Sequence, residues 1–318
     1  MRIHRWISMG AAGGLFCVSP AVATTHYVDV SNAAPVAPYT NWATASTNIQ
    51  MAIVWSDSGD EILVAPGTYL LAGAPVELPI DKTLTLRSAI RRAAVVDAQG
   101  LSQGLVILGT NSVVEGFTVR NGFLGIGYGA GIALGRAAVV RDCLVTDNHS
   151  SSGGGIMIGG GATNALVEDC TIAGNVAVNG PGGGLVLYDN SYGRVNRCVI
   201  SNNVAATYGG GVWIQHGGSV SNCRIVGNQA LEEDGGGIYM ANEGTTNPAT
   251  AVNCVIAGNG AGRNGGGLYS YGPAGTLSPV VNCTIVSNVA GVSAGGAFAW
   301  TTRFVNDVLY FNAAPTNA

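Results

Sequence analysis

Two short boxes alternate along the chain roughly every 24 to 31 residues, and they predict an all-β, right-handed parallel β-helix with an N-terminal helical cap. The first box runs from Val140 through Asp142 and Cys143 to Asn148, and repeats from Val167 through Asp169 and Cys170 to Asn175. It recurs around Cys198 and Asn203, Cys223 and Asn228, Cys254 and Asn259, and Cys283 and Asn288. A degenerate early copy places Gly116 at the Cys position with Asn121 five residues on; a last copy places Asp307 there, followed by Asn312. The second box is a glycine triplet followed by apolar-x-apolar, as in Gly153 to Ile158, Gly182 to Leu187, Gly209 to Ile214 and Gly235 to Met240. It continues at Gly265 to Ser270, with variants at Gly129 to Ile132 and Gly295 to Phe298.

Apolar-x-apolar is the period-two signature of a short strand with one face inward. Each period therefore carries at least two strands separated by turns. No helical periodicity runs through the repeat, and the leucine spacing of leucine-rich repeats is missing. In a stack of such coils, equivalent residues lie about 4.8 Å apart along the axis. An asparagine in one coil can then donate its amide to the carbonyl of the next, forming a ladder. Cys and the apolar residue two positions on share the inner face, and the glycine triplet makes a tight turn that bulkier residues would block.

The N-terminal elements are less regular. Residues 1–23 read as an export signal: Arg2, His4 and Arg5 precede an apolar run from Ile7 to Val18, and Ala21-Val22-Ala23 is a cleavage site of small residues. Bulky Phe16 beside Cys17 argues against a lipoprotein reading. Residues 24–60 hold an N-terminal strand and a helix from Ser46 to Trp55, with Ile49, Ala52 and Ile53 on one face, Ser46 or Thr47 as its cap and Gly59 beyond its end. That helix would cover the first coil, whose open edge otherwise invites strand addition. Residues 61–318 form the β-helix, with regular coils from about 113 to 312. Ala313 to Ala318 offers no comparable lid, so the expectation at the uncapped C-terminus is either a truncated reading frame or an end-on contact with a partner.

Composition narrows the partners. Gly supplies 49 of the 318 residues, while charged residues are only 10% and hydrophobic ones 47%, which excludes disorder. Loss of Arg2 and Arg5 with the signal leaves 12 basic against 18 acidic residues, a net −6, and Lys82 is the only lysine. Without a basic tract, nucleic acid and anionic membranes are poor partners. No later stretch is apolar enough to span a bilayer, so the protein is not expected to be membrane-spanning.

The stretch from Asn48 through Gly59 and Asp60 to Pro66, Gly67, Thr68 and Tyr69 resembles the opening of bacterial pectin-lyase-like right-handed β-helix proteins, as does Gly116 to Gly122. The glycine boxes alternating with asparagine resemble the repeats of chlamydial polymorphic outer membrane proteins, with Phe298 and Asn312 the nearest positions. The likeness covers about residues 27 to 312. It implies the fold; for function it spans lyases, hydrolases, epimerases and adhesins. The chlamydial type also carries a C-terminal autotransporter barrel, which these 318 residues do not contain.

Candidate chemistry lies in four groups. The six cysteines after the signal recur in consecutive coils; in-register neighbours near 4.8 Å are wider than the ~3.8 Å between Cβ atoms of a disulfide, so a buried thiol ladder is the better reading. No Cys-x-x-Cys or histidine column suggests a metal site. Asp142 and Asp169 stack on the outer face beside Glu168, with Arg197 one coil on. Such carboxylates could recruit Ca²⁺ or serve catalysis, although Asn222, Asn253, Asn282 and Asn306 continue the column as plain solvent-facing polarity. Glu232, Glu233 and Asp234 lie in the turn before one glycine box, with Arg263 at a comparable place one coil on and Asp189, His216 and Glu243 after successive boxes, an arrangement open to glycoside hydrolysis although loops ordinarily collect charge. Trp213, Tyr239 and Tyr269 occupy the outward middle of three consecutive strands, preceded by Met157 and Val186 and followed by Ala299, with Tyr208 and Tyr271 nearby. That row is either a glycan platform or an internal aromatic stack.

The expectation is an exported, non-catalytic scaffold, adhesin-like or glycan-binding at the cell surface, with no cofactor and polysaccharide as its partner. The alternative is a polysaccharide lyase or glycoside hydrolase acting on acidic polysaccharide.

Overall fold

The computed structural model describes residues 23–188, 191–242, 247–273 and 277–315. Arg2 to Val22, the bulk of the expected signal, and the candidates Asp189 and Glu243 lie outside the described residues. The rest forms an all-β parallel solenoid, every strand pair parallel, in four sheets that run along its axis. One coil shows the order. Leu166–Glu168 belongs to the first sheet, Thr171–Ala173 to the second, Val176–Ala177 to a short third and Leu185–Leu187 to the fourth. Among the described residues these sheets have eleven, ten, seven and nine strands.

In-register stacking makes the interior a set of columns. Val145, Ile172, Ile200, Ile225, Ile256 and Ile285 pair successively and are fully buried, as are Ile132, Ile156, Leu185, Val212, Ile238 and Leu268 on the opposite wall. Each coil thus adds apolar area only by lying on its neighbours, which explains why the repeat needs its copies. The six cysteines are buried and unbridged. A hydrogen bond with the preceding thiol, together with burial, pushes the pKa of Cys223 and Cys254 up to about 12.

Asn148, Asn175, Asn203, Asn228, Asn259, Asn288 and Asn312 form the ladder at the corner between the second and third sheets. Asn203 Nδ2 donates to Asn228 Oδ1 at 3.0 Å and to the Ile172 carbonyl at 2.9 Å. Its Oδ1 accepts from the backbone N and the Nδ2 of Asn175, both at 3.0 Å. All four hydrogen-bonding sites of this buried amide are therefore satisfied. The glycine box lies against that ladder. Gly182 has φ +71°, and a Cβ on Gly184 would sit 2.6 Å from the Gly211 carbonyl oxygen and 2.8 Å from Asn203 Nδ2. Positive φ explains the first glycine, and close approach of the next coil explains the last.

Two copies of the repeat are displaced by one residue from their sequence alignment. Thr118 pairs with Leu144, which puts Phe117, not Gly116, beneath Cys143. Gly122 then takes the ladder position, its N–H donating to Asn148 Oδ1 at 2.8 Å, while Asn121 bonds Asp97 instead. Burial of Phe117 and Val119 sets this phase, and Gly116 falls at the positive-φ corner that Asp142 occupies one coil later. At the last box Leu268 pairs with Ala297 and Tyr269 with Phe298, so Phe298, not Ala299, extends the outward row. The box begins at Ala294, which has φ +55° in place of glycine, because Gly295 and Gly296 are needed where backbone and Asn312 press closest.

The ends differ. The helix α1 (Ile49–Trp55) buries Ile49, Ala52 and Ile53 against the first strands. Asn48, rather than Ser46 or Thr47, caps it, accepting from Met51 N at 3.1 Å. Ser46 instead bridges to Val28 as an extension of the first strand region, which removes it from the helix. At the last described coil Phe304 and Leu309 continue inward columns yet are 39% and 45% exposed.

Candidate functional site

Asp142, Asp169 and Arg197 stand one above another at the corner between the first and second sheets, each with φ between +52° and +59°. Asn222, Asn253, Asn282 and Asn306 continue the same corner at φ +54° to +57°. Asn and Asp tolerate this left-handed conformation best, so the turn itself selects them. Their charges are engaged locally. Arg197 grips Asp169 through two bonds of 2.8 and 2.7 Å and reaches Glu168 at 2.7 Å. Arg91 pairs with Asp142 at 2.5 Å, and Arg92 bonds the carbonyls of Asp142 and Asp169. The Arg197 guanidinium, against a smaller burial effect, holds the Asp169 carboxyl below its usual range. The structure brings all three predicted residues together, as a surface ion-pair network closed on itself. Among the described residues no group of three or more His, Cys, Asp or Glu side chains is arranged to hold a metal ion.

The aromatic row has a different outcome. Tyr239, Tyr269 and Phe298 stack face to face along the axis, with ring centroids 4.8 and 5.2 Å apart and planes within 6° and 3°. Rings stacked this way cover one another's faces and stabilise the sheet by ~0.5–1.5 kcal/mol per pair. Tyr208 leans on Tyr239 at 4.7 Å, while Trp213 sits one coil earlier, tilted against Tyr188 at 6.2 Å.

Beside this stack the chain forms a groove that the sequence did not reveal as a unit. Tyr208, Tyr239, Tyr269 and Phe298 line it with Glu233, Asp234, Arg263 and Asn264, and Tyr271 and Trp300 stand along it. Tyr239 and Tyr269 thus belong to the groove; Trp213 and His216 do not line it. Tyr271 follows Tyr269 by two positions and Trp300 follows Phe298 by two, so strand alternation places both on the outer face. They are also the open rings: Trp300 is 69% and Tyr271 39% exposed. Trp300 was hidden by the one-residue shift in the last box; reading Ala297 as inward would have exposed the alternation Phe298, Ala299, Trp300.

The other wall is polar. Arg263 closes on Glu233 at 2.7 Å. Asp234 is nearly buried, and its Oδ1 accepts from both the backbone N and Nδ2 of Asn264 at 2.9 Å, while Oδ2 accepts no hydrogen bond among the described residues. Burial raises the Asp234 carboxyl pKa, and the bonds from Asn264 only partly offset this.

A four-sheet parallel coil with a laddered interior and a groove on its outer face defines a class, the right-handed β-helix proteins. Residues 98–308 match the family described as "right handed beta helix region", and the chain belongs to it. Among solved structures it is similar to pectate lyase Pel9A, with 15% identity and a TM-score of 0.60 over 93% of this chain and 80% of that one. It is also similar to an alginate lyase from Paenibacillus sp. str. FPU-7, with 16% identity and a TM-score of 0.48 over 84% of this chain and 96% of that one. At such identity the likeness is one of fold. No curated protein matches the chain.

Proposed function

We propose that this protein is an exported, non-catalytic glycan-binding scaffold that works at the cell surface or beyond it, holding a polysaccharide strand in the groove beside Tyr269. The observation that carries this reading is the pair of open rings, Trp300 and Tyr271, set along a groove whose opposite wall offers carboxylate and amide groups. Flat rings bury the apolar faces of sugars at little entropic cost, and fixed polar groups orient their hydroxyls. The expected N-terminal signal supports export. The non-catalytic part rests on the closed ion pairs: the carboxylates of Asp142 and Asp169 both face guanidinium groups, so neither stands ready as a base. The likeness in fold to a pectate lyase favours polysaccharide as the ligand class, and keeps cleavage of acidic polysaccharide as the competing reading.

The test is a polysaccharide panel scored for retention of the purified chain, with reducing-end release and unsaturated products measured in parallel. Retention without products is the expected result. Products would replace the scaffold reading with an enzyme, and failure to retain any polysaccharide would remove glycan binding altogether.

A further inference from the structure

Building on the glycan-binding reading, we infer that the groove selects an uncharged polysaccharide and rejects polyuronates, with Trp300 and Tyr271 as the stacking surface and Asp234 as the acceptor for a sugar hydroxyl. Charge decides the class. A site for uronate chains must offer guanidinium or ammonium groups free to meet carboxylates. In this groove the charge of Arg263, the one guanidinium lining it among the described residues, is offset by Glu233 at 2.7 Å, so with Asp234 the lining carries no net positive charge. What remains is Asp234, which lines the groove from a nearly buried position and whose Oδ2 accepts no hydrogen bond among the described residues. An incoming carboxylate would meet an acceptor where it needs a donor; an incoming hydroxyl would meet its complement.

Five arginines outside the groove are paired in the same way. Arg87, Arg91, Arg120, Arg141 and Arg197 each close on an Asp or Glu within 2.5–2.9 Å. With the net charge of −6 left after loss of the expected signal, the long-range field repels polyanions. The geometry sets the scale as well. Tyr239, Tyr269 and Phe298 span two coil spacings, which at about 4.8 Å each suits a strand of roughly two sugar rings lying along the axis. A neutral strand brings apolar ring faces to Trp300 and Tyr271 without any desolvated charge to compensate.

The experiment is affinity electrophoresis and titration calorimetry of the full chain with four probes: dextran, a soluble β-glucan, polygalacturonate and alginate. The expected result is binding of at least one neutral polymer with affinity changed less than about twofold between ~50 and ~200 mM salt, since no ion pairs form. Trp300→Ala and Tyr271→Ala should each weaken that binding roughly tenfold, the scale of a lost stacking contact, while the melting temperature holds. Retention of polygalacturonate or alginate, weakened by salt, with neutral polymers unbound would overturn the inference and leave glycan binding standing. No retention of any probe would overturn both. Neutral binding indifferent to Trp300→Ala and Tyr271→Ala would remove the groove as its site.

Discussion

Two columns of asparagine run along the later coils of this solenoid, and they exist for different reasons. The inner one, represented by Asn203, Asn228 and Asn259, is buried, and each amide bonds the coil before and the coil after it. The outer one, Asn222, Asn253 and Asn282, is exposed. Its members also link amide to amide, Asn253 to Asn222 at 3.2 Å and Asn282 to Asn253 at 3.1 Å. Water competes for those outer bonds, so their net worth is small. What the outer column supplies is a residue that accepts φ near +54°. Recurrence of one residue type along a repeat therefore marks a constraint without saying whether it acts on the side chain or on the backbone.

Substitution separates the two columns. The largest effect is expected from Asn203→Asp, which keeps shape but turns a donor into an acceptor facing the Ile172 carbonyl and Asn228 Oδ1. An uncompensated buried charge costs about 3–5 kcal/mol. The new carboxyl would have its pKa raised in the folded state, so the deficit should be full at neutral pH and shrink as pH falls. Urea midpoints measured from pH 7 down to pH 4 check this; a pH-independent deficit would mean the carboxylate finds water. Asn203→Ala should follow at about 1–3 kcal/mol, since it strands partners in two neighbouring coils. An unchanged midpoint there would remove the ladder's role.

Asn253→Val should cost about 1–2 kcal/mol, because a β-branched residue resists the left-handed corner, while Asn253→Gly should restore stability almost fully. If glycine were as damaging as valine, the exposed amide bonds would matter more than φ. The smallest effect is expected at Arg197→Asn, within about 0.5 kcal/mol. It gives up partly exposed ion pairs of little worth and places a better-suited residue at φ +52°. A loss well beyond that would show that the network with Asp169 and Glu168 holds the corner.

The same distinction governs what could be read in advance. Ile49, Ala52 and Ile53 betrayed the buried face of α1, because helical spacing depends on near neighbours alone. Its cap was misplaced by one or two residues, since Ser46, Thr47 and Asn48 all favour that role and only packing of Ser46 beside Val28 decides among them. Asp142 and Asp169 were legible as stacked but not as consumed by Arg91 and Arg197. Arg91 lies 51 residues before Asp142, and no local pattern joins them.

Periodic spacing by itself determined the parallel coil, the thiol and amide columns and the outward row containing Tyr239 and Tyr269. Equivalent residues in successive turns become vertical neighbours in any such stack, and that follows from counting. Only the tertiary structure decided how the coils slide against each other, at Phe117 because core filling outweighs alignment and at Phe298 because backbone and Asn312 press closest on Gly295 and Gly296. It alone joined Trp300, Tyr271 and Asp234 into one groove, because coils of unequal length bring distant turns together by packing rather than by pattern.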